Sequence, residues 1–305
     1  MLKGDSMKNK RMLGNILLLI TAMIWGTAFV AQRVGMESIG PVTFTSARMW
    51  LAALTAGTAS LFLSRRTPAA REDPERRRHT AIGGICCGLF LAAASLFQQY
   101  GIVTTTAGKA GFITALYILI VPVLNLILFK KRCGAHVWAA IAIGVFGMYL
   151  LCMKEGFRLT RGDTLVCCCA VVFSGHILCC DYFTKKADPV RLSAIQFVTV
   201  ALVSGVIALI VEEPSWAQIK AAAVPILWCG VMSGGVGYTL QMIAQRFTDP
   251  TVAALLMSLE SVFAALTGAL LLGERMSGQE LLGCIIMFAA IVLVQLPAPK
   301  RQKAE

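Results

Sequence analysis

Charge is scarce in this chain, and acid is the scarcer sign. Charged residues make up 14% of 305 positions, with 16 Asp and Glu against 28 Lys and Arg. Soluble domains carry about a quarter charged residues, and the mean hydropathy of +0.73 lies far from that class. There are three histidines, and His79 and His136 fall in or near loops. That excludes a histidine-built metal site, and no convergent nucleophile and base supports a membrane-embedded enzyme. No G-x-x-x-x-G-K-[ST] loop occurs, which argues against ATP-driven pumping. Although the chain has 11 cysteines, it has no C-x-x-C pair. Cys86-Cys87, Cys167-Cys168-Cys169 and Cys179-Cys180 lie inside apolar segments. Neighbours on a helix point about 100° apart, so these runs form no chelating face. They read as reduced, small apolar side chains, too deep for a disulfide framework. No cofactor is implied.

What the chain does have is long apolar segments. Ten are readable, at roughly 12–31, 43–63, 80–100, 107–129, 135–152, 164–183, 190–211, 224–243, 251–272 and 277–296. Segments of about 20 residues match a hydrocarbon core of about 30 Å. The expectation is an all-α, multi-pass membrane protein with no room for an appended soluble domain. The first segment follows basic residues as a signal peptide would, but no small-x-small cleavage site follows it, so it reads as a retained helix. A compact chain without an organelle-targeting segment fits a prokaryotic inner (plasma) membrane.

The chain also repeats itself. Residues 14–63 shifted by 148 lie on 162–211, and 83–151 shifted by 143 lie on 226–294. Gly14 falls on Gly162, Pro41-Val42 on Pro189-Val190, Ala53-Leu54 on Ala201-Leu202 and Gln98 on Gln241. The repeats run over 12–152 and 162–296, each with five apolar segments. An odd number forces the second repeat to enter the membrane inverted, the architecture of a secondary transporter working by alternating access. With the N-terminus inside, 20 basic residues fall in inner segments and seven in outer ones, Arg48 lying within a span. That bias puts both termini in the cytoplasm. It also accounts for the formal charge of +12 without a nucleic-acid partner. The six arginines of the Ser64–His79 segment favour anionic headgroups of the lipid bilayer.

Ionisable groups at bilayer depth cost about 2.5–3.5 kcal/mol at a helix centre, so they should face the interior. In the ninth segment Ala253, Met257, Glu260, Ser261, Ala264 and Gly268 form a small or polar stripe, with Glu260 near mid-helix. Ionised, Glu260 can pair with a cationic substrate group; protonated, it can carry a coupling proton. A structural, hydrogen-bonded glutamate is the plainer alternative. Its repeat mate is Tyr117, on a stripe with Thr114, Val121 and Asn125. Gln98 and Gln241 occupy equivalent positions, and Tyr238 shares the Gln241 face. Glu260, Ser261, Tyr117, Asn125, Gln98, Gln241 and Tyr238 are candidate cavity-lining residues, though polar side chains also bond helix to helix. Trp25 shares a face with Thr21, Ala28 and Gln32 and is either a cavity wall or core. Ala28 maps onto His176, a second candidate proton carrier because imidazole titrates near neutral pH. Arg48 reads as snorkelling to the nearby interface. Glu274, beside Arg275, and Asp181, one turn before Lys185, read as structural. Pro122 should bend the fourth helix, and Ser233-Gly234-Gly235-x-Gly237 permits close approach or flexing in the eighth. Small-residue stripes fit packing within one chain or across a homodimer.

With the repeats in hand, the chain resembles the drug/metabolite transporter superfamily, specifically its EamA-type ten-helix members. The residues carrying this are Trp25-Gly26, Pro41-x-x-Phe44-x-x-x-Arg48, the Ala-Gly-Phe-Ile-Thr stretch at 110–114 and Pro122. To these add Pro250-Thr251-x-Ala253-Ala254-Leu255-Leu256, Leu259-Glu260, Gly273-Glu274-Arg275 and Gly283. Two positions depart from the pattern: Ser261 stands where many members have proline, and Lys131 where the first repeat often keeps a glutamate. The resemblance implies a carrier of small organic solutes, with efflux of an amino acid or related metabolite the leading expectation. Export of cationic drugs is the alternative within transport. A non-transporting scaffold or receptor is the alternative outside it.

Overall fold

A computed structural model describes residues 2–66, 73–105, 107–152, 160–272 and 277–295. Parts of the Ser64–His79 and Met153–Asp163 connections, the Glu274-Arg275 pair and the basic C-terminal residues lie outside these. All regular secondary structure among the described residues is helical, in the order α1 (Leu2–Gly35), α2 (Pro41–Arg66), α3 (Pro74–Thr104), α4 (Ala107–Ala115), α5 (Tyr117–Phe129), α6 (Ala135–Cys152), α7 (Arg161–Thr184) and α8 (Pro189–Val211). A short α9 (Trp216–Ala221) precedes α10 (Ala223–Leu227), a π-helical stretch at Trp228–Tyr238 and α11 (Thr239–Gln245). The chain continues through α12 (Pro250–Met257), α13 (Glu260–Leu272) and α14 (Gly278–Gln295). Among the described residues, seven stretches are long and apolar enough to cross a membrane: Asn9–Gly35, Pro74–Thr104, Ala107–Phe129, Arg161–Thr184, Pro189–Val211, Ala223–Gln245 and Pro250–Leu271. Ala135–Leu150 and Leu281–Leu293 are shorter apolar helices. Large apolar side chains such as Leu209, Ile210, Ile127 and Leu270 lie exposed on the outside of the bundle, as a hydrocarbon solvent allows.

Helix starts follow local chemistry. Asp73-Pro74, Asp188-Pro189 and Asp249-Pro250 each place an accepting carboxylate at the N-cap and proline at the first helical position. That combination satisfies free amides and presets φ. Thr160 and Asp163 form a reciprocal capping box on α7. α2 is the exception, because the mate of Asp188 is Gly40. Its amides at Val42 and Thr43 are taken by the Glu212 carboxylate, at 2.9 and 2.8 Å, from the far end of α8. A Cβ on Gly40 would lie 2.4 Å from that carboxylate, so the glycine makes room for the borrowed cap.

The packing obeys an exchange of halves. Equivalent helices lie on each other, α2 on α8 and α6 on α14. α3 packs on α7 and α8, and the 223–245 segment packs on the corresponding α1 and α2. α1 meets α13 as α7 meets α4 and α5. Most helix contacts therefore join the two repeats to each other.

Three expected single helices are not uniform. The fourth is interrupted at Leu116 and the ninth at Ser258-Leu259, while the eighth widens into a π-helix. Leu116 and Leu259 are repeat mates. Each break is one tight turn with i→i−3 bonds: Leu119 N to Leu116 O at 3.0 Å, and Ser261 N to Ser258 O at 3.2 Å. Ser258 and Ser261 reinforce the second break by donating to the carbonyls of Leu255 and Ser258. Such back-bonding competes with the helical ladder. Pro122 lies inside α5 and is not the site of the interruption.

Candidate functional site

The two breaks place one residue each at the start of a half-helix, Tyr117 on α5 and Glu260 on α13. Tyr117 Oη donates to Glu260 Oε1 at 2.9 Å. Tyr117 is fully buried and Glu260 is 3% exposed. Two residues related by the repeat thus meet at the centre of the bundle. A carboxylate at the head of an interrupted helix is the kind of position at which transporters bind solutes.

Around Glu260 lies a small cavity lined by Trp25, Ala28, Phe29 and Gln32 of α1, Arg48 of α2, Gln98 of α3, Thr114 of α4, Phe173 of α7, and Ser233 and Tyr238 of the π-helix. Its free volume is about 20 Å³, room for about one water. Trp25, Phe173 and Tyr238 form an aromatic wall, with centroids 4.6 Å apart for Trp25–Tyr238 and 5.7 Å for Trp25–Phe173. The π-helix helps to fix it. Its Ser233 carbonyl accepts from Trp25 Nε1 at 3.2 Å, and its Gly237 carbonyl from Thr21 Oγ1 at 3.2 Å.

Arg48 differs from the sequence expectation. It is 3% exposed and reaches the cavity, donating from Nη1 to Gln32 Oε1 at 3.2 Å with its guanidinium over the Phe44 ring. The reason is packing. α2 lies against the π-helix, where a Cβ on Gly230 would meet the Arg48 carbonyl at 2.7 Å and one on Gly234 would meet Ala52 at 2.6 Å. That close approach carries Arg48 inward. The cavity therefore holds one basic and one acidic side chain, Arg48 from the first repeat and Glu260 from the second. Sequence reasoning missed Arg48, Gln32, Phe29, Thr114 and Ser233 as lining residues. The readable signal was that Thr45, Arg48, Ala52 and Thr55 form one helical stripe.

Of the residues singled out from sequence, Glu260, Gln98, Tyr238 and Trp25 line the cavity, and Tyr117 touches it through Glu260. Gln98 donates to Thr114 Oγ1 at 3.2 Å. His176 stands one layer back, stacked on Phe173 at 5.3 Å and bonded through Nε2 to Gln196 Oε1 at 3.1 Å. Cys180 lies against the same ring. Ser261 turns away, toward the Ser258 carbonyl and Met287. Gln241 is fully buried, and its side-chain amide has no hydrogen-bond partner; the buried Asn125 Oδ1 has none either. Neither lines the cavity. Among the described residues no group of three or more His, Cys, Asp or Glu side chains is placed to hold a metal ion.

Comparison with known proteins gives this geometry its context. An uncharacterized transporter of Archaeoglobus fulgidus is 25% identical over 96% of this chain and 89% of its own. A probable terminal-alkyne amino-acid exporter of Streptantibioticus cattleyicolor is 23% identical over 91% of each chain. A probable amino-acid metabolite efflux pump of Escherichia coli is 22% identical, covering 91% of this chain and 93% of that one. One solved crystal structure shares the fold with a TM-score of 0.75 at 17% identity, over 92% of this chain and 96% of the other. The model of the EamA-like transporter family matches residues 12–153 and again 160–296. Two matches spanning nearly the whole chain, on a multi-pass membrane bundle, make it a member of the EamA-like transporter family.

Proposed function

We propose that this chain is a secondary transporter that exports small zwitterionic metabolites, amino acids or close relatives, across the cell membrane by alternating access. The single observation that carries this is Arg48 and Glu260 on one aromatic-walled cavity. An α-amino acid presents a carboxylate and an ammonium a few ångströms apart. Arg48 offers the carboxylate a planar donor fork, in place of the Gln32 oxygen it now holds. Glu260 offers the ammonium its carboxylate, in place of Tyr117 Oη. Trp25, Phe173 and Tyr238 cover the remainder and exclude water. Against a bare organic cation, the alternative drug substrate, Arg48 is a like charge in low dielectric, so the pair favours a zwitterion.

The scaffold for movement is two inverted repeats, 12–152 and 162–296, forming ten spans with both termini cytoplasmic. The exchange of helix packings between halves supports it, as does the basic bias of the loops. Coupling follows from the chemistry of Glu260, which can hold the substrate's ammonium or a proton but not both. Inward proton movement on the empty carrier would then exchange for outward substrate, with His176 as a possible relay behind Phe173. A homodimer is compatible with the exposed apolar faces of the described helices.

The test is flux in proteoliposomes, comparing an amino acid with its decarboxylated amine and its N-acetyl derivative. The expected result is transport of the amino acid at least about tenfold above both, since each loses one charge-assisted contact of about 1.5–3 kcal/mol. Equal transport of the amine would move the reading to a cation exporter. No flux of any of a broad solute panel would favour a scaffold or receptor.

A further inference from the structure

We infer that the cleft between the C-terminal ends of α5 and α7 binds the headgroup of an anionic phospholipid. This cleft, lined by Phe129, Lys131, Asp181, Tyr182, Lys185 and Lys186, has a free volume of about 160 Å³, larger than the central cavity. Three lysines against one aspartate give it net positive charge. The aspartate is already occupied, with Lys185 Nζ 2.6 Å from Asp181 Oδ1. Lys186 Nζ sits 4.0 Å from the Tyr182 ring centroid and donates to a tyrosine hydroxyl at 2.7 Å, that of Tyr182 itself. Lys131 Nζ lies 5.8 Å from the Phe129 centroid.

The backbone sets Lys131 in place. α5 ends on Lys130 with φ 53, and the amides of Lys130 and Lys131 both return to the Asn125 carbonyl. This left-handed turn, normally given to glycine, swings Lys131 back across the helix end toward α7. A free anion in solution would need only the lysines. A phospholipid also needs apolar surface for its acyl chains, and the last turn of α5, which ends in Phe129 on the cleft, supplies it. Leu126, Ile127, Leu128 and Phe129 on α5 are 40–66% exposed. Basic clefts between transmembrane helices on the cytoplasmic side are suited to phosphate headgroups, and the loop charges assign this end of the bundle to the cytoplasm. Because α5 begins with Tyr117 and α7 carries Phe173, a lipid seated here bridges the inner ends of two cavity helices from different repeats.

The experiment is native mass spectrometry of the full chain with phosphatidylglycerol and phosphatidylcholine in equal supply, alongside thermal stability in each lipid. Phosphatidylglycerol should be retained preferentially and raise the melting temperature. Lys131→Gln with Lys186→Gln should weaken its retention by about fivefold per lysine, the size expected for a basic residue at an anionic membrane surface. Asp181→Asn should strengthen retention, a gain that misfolding cannot produce. Unchanged retention in the double variant, or weakened retention in Asp181→Asn, overturns the proposal. Stabilisation by inorganic phosphate equal to that by phosphatidylglycerol would overturn the lipid as occupant and leave a plain phosphate site. None of these readouts depends on the transported solute, so they fail separately from the proposed function.

Discussion

The same helix pair is wired differently in the two halves. In the first, Arg48 of α2 bonds Gln32 of α1; in the second, Gln196 of α8 bonds His176 of α7. Gln196 is the repeat mate of Arg48, and His176 sits where Ala28 would fall. The other charge is equally one-sided, since the mate of Glu260 is Tyr117. Each half contributes one charge to the centre and answers the other half's charge with a neutral hydrogen-bonding group. A perfectly symmetric pair would have offered two cations or two anions, which like charges at close range disfavour. Divergence of the repeats leaves one basic and one acidic side chain on the cavity, the asymmetry on which the proposed recognition of a zwitterion rests.

The comparison can be broken most severely at its anionic end. Glu260→Gln keeps the shape and the Tyr117 contact but removes the charge. Substrate affinity, read by thermal stabilisation or flux, should fall about tenfold to hundredfold, the worth of about 1.5–3 kcal/mol. Unchanged affinity would confine Glu260 to a coupling or structural role. Making the first half like the second at its cationic end, through Arg48→Gln, should cost about tenfold in amino-acid flux while sparing the decarboxylated amine, because only the carboxylate contact goes. A parallel loss of both would show that Arg48 serves packing.

A packing difference sharpens the same comparison. Gly26 is matched in the second half by Ser174, whose hydroxyl fits against the Ala170 carbonyl. At Gly26 a Cβ would stand 2.8 Å from the Glu260 carbonyl and 2.4 Å from Phe263 Cβ. Gly26→Ser should therefore destabilise the fold by about 1–3 kcal/mol through overpacking, seen as a lower melting temperature in detergent. The reciprocal Ser174→Gly should cost no more than about 0.5 kcal/mol, the helix-propensity difference. A reversed order of the two would mean that α1 is free to move away from α13.

Much of this was legible in the residues. The repeat and the apolar segments are written in spacing, and so is the equivalence of Tyr117 and Glu260 as repeat mates, whereas their direct contact is not. What was not legible depends on tertiary contact. The first break falls at Leu116, a residue with no helix-breaking chemistry six positions before Pro122, and the second at Ser258-Leu259, where serine back-bonding competes with the ladder only once the turn is formed. Arg48 lies so near the helix end that snorkelling was the simpler reading. Only the close approach of α2 to Gly230 and Gly234 turns it inward. Gly40 showed nothing by itself, because the carboxylate it admits comes from Glu212 at the far end of α8.

The free volume of the central cavity, about 20 Å³, bears on how the membrane stays sealed. A pore must keep a permanent passage and defend it with selectivity, whereas the cavity between Arg48 and Glu260 has room for about one water and not for a metabolite. If solute binds there as proposed, it has to wedge the helices apart, and a molecule that satisfies both Arg48 and Glu260 would return that work. On the proposed export reading, a cavity that closes down to the size of one water would let the carrier reset without a second metabolite, so net export would need no obligatory exchange of one metabolite for another.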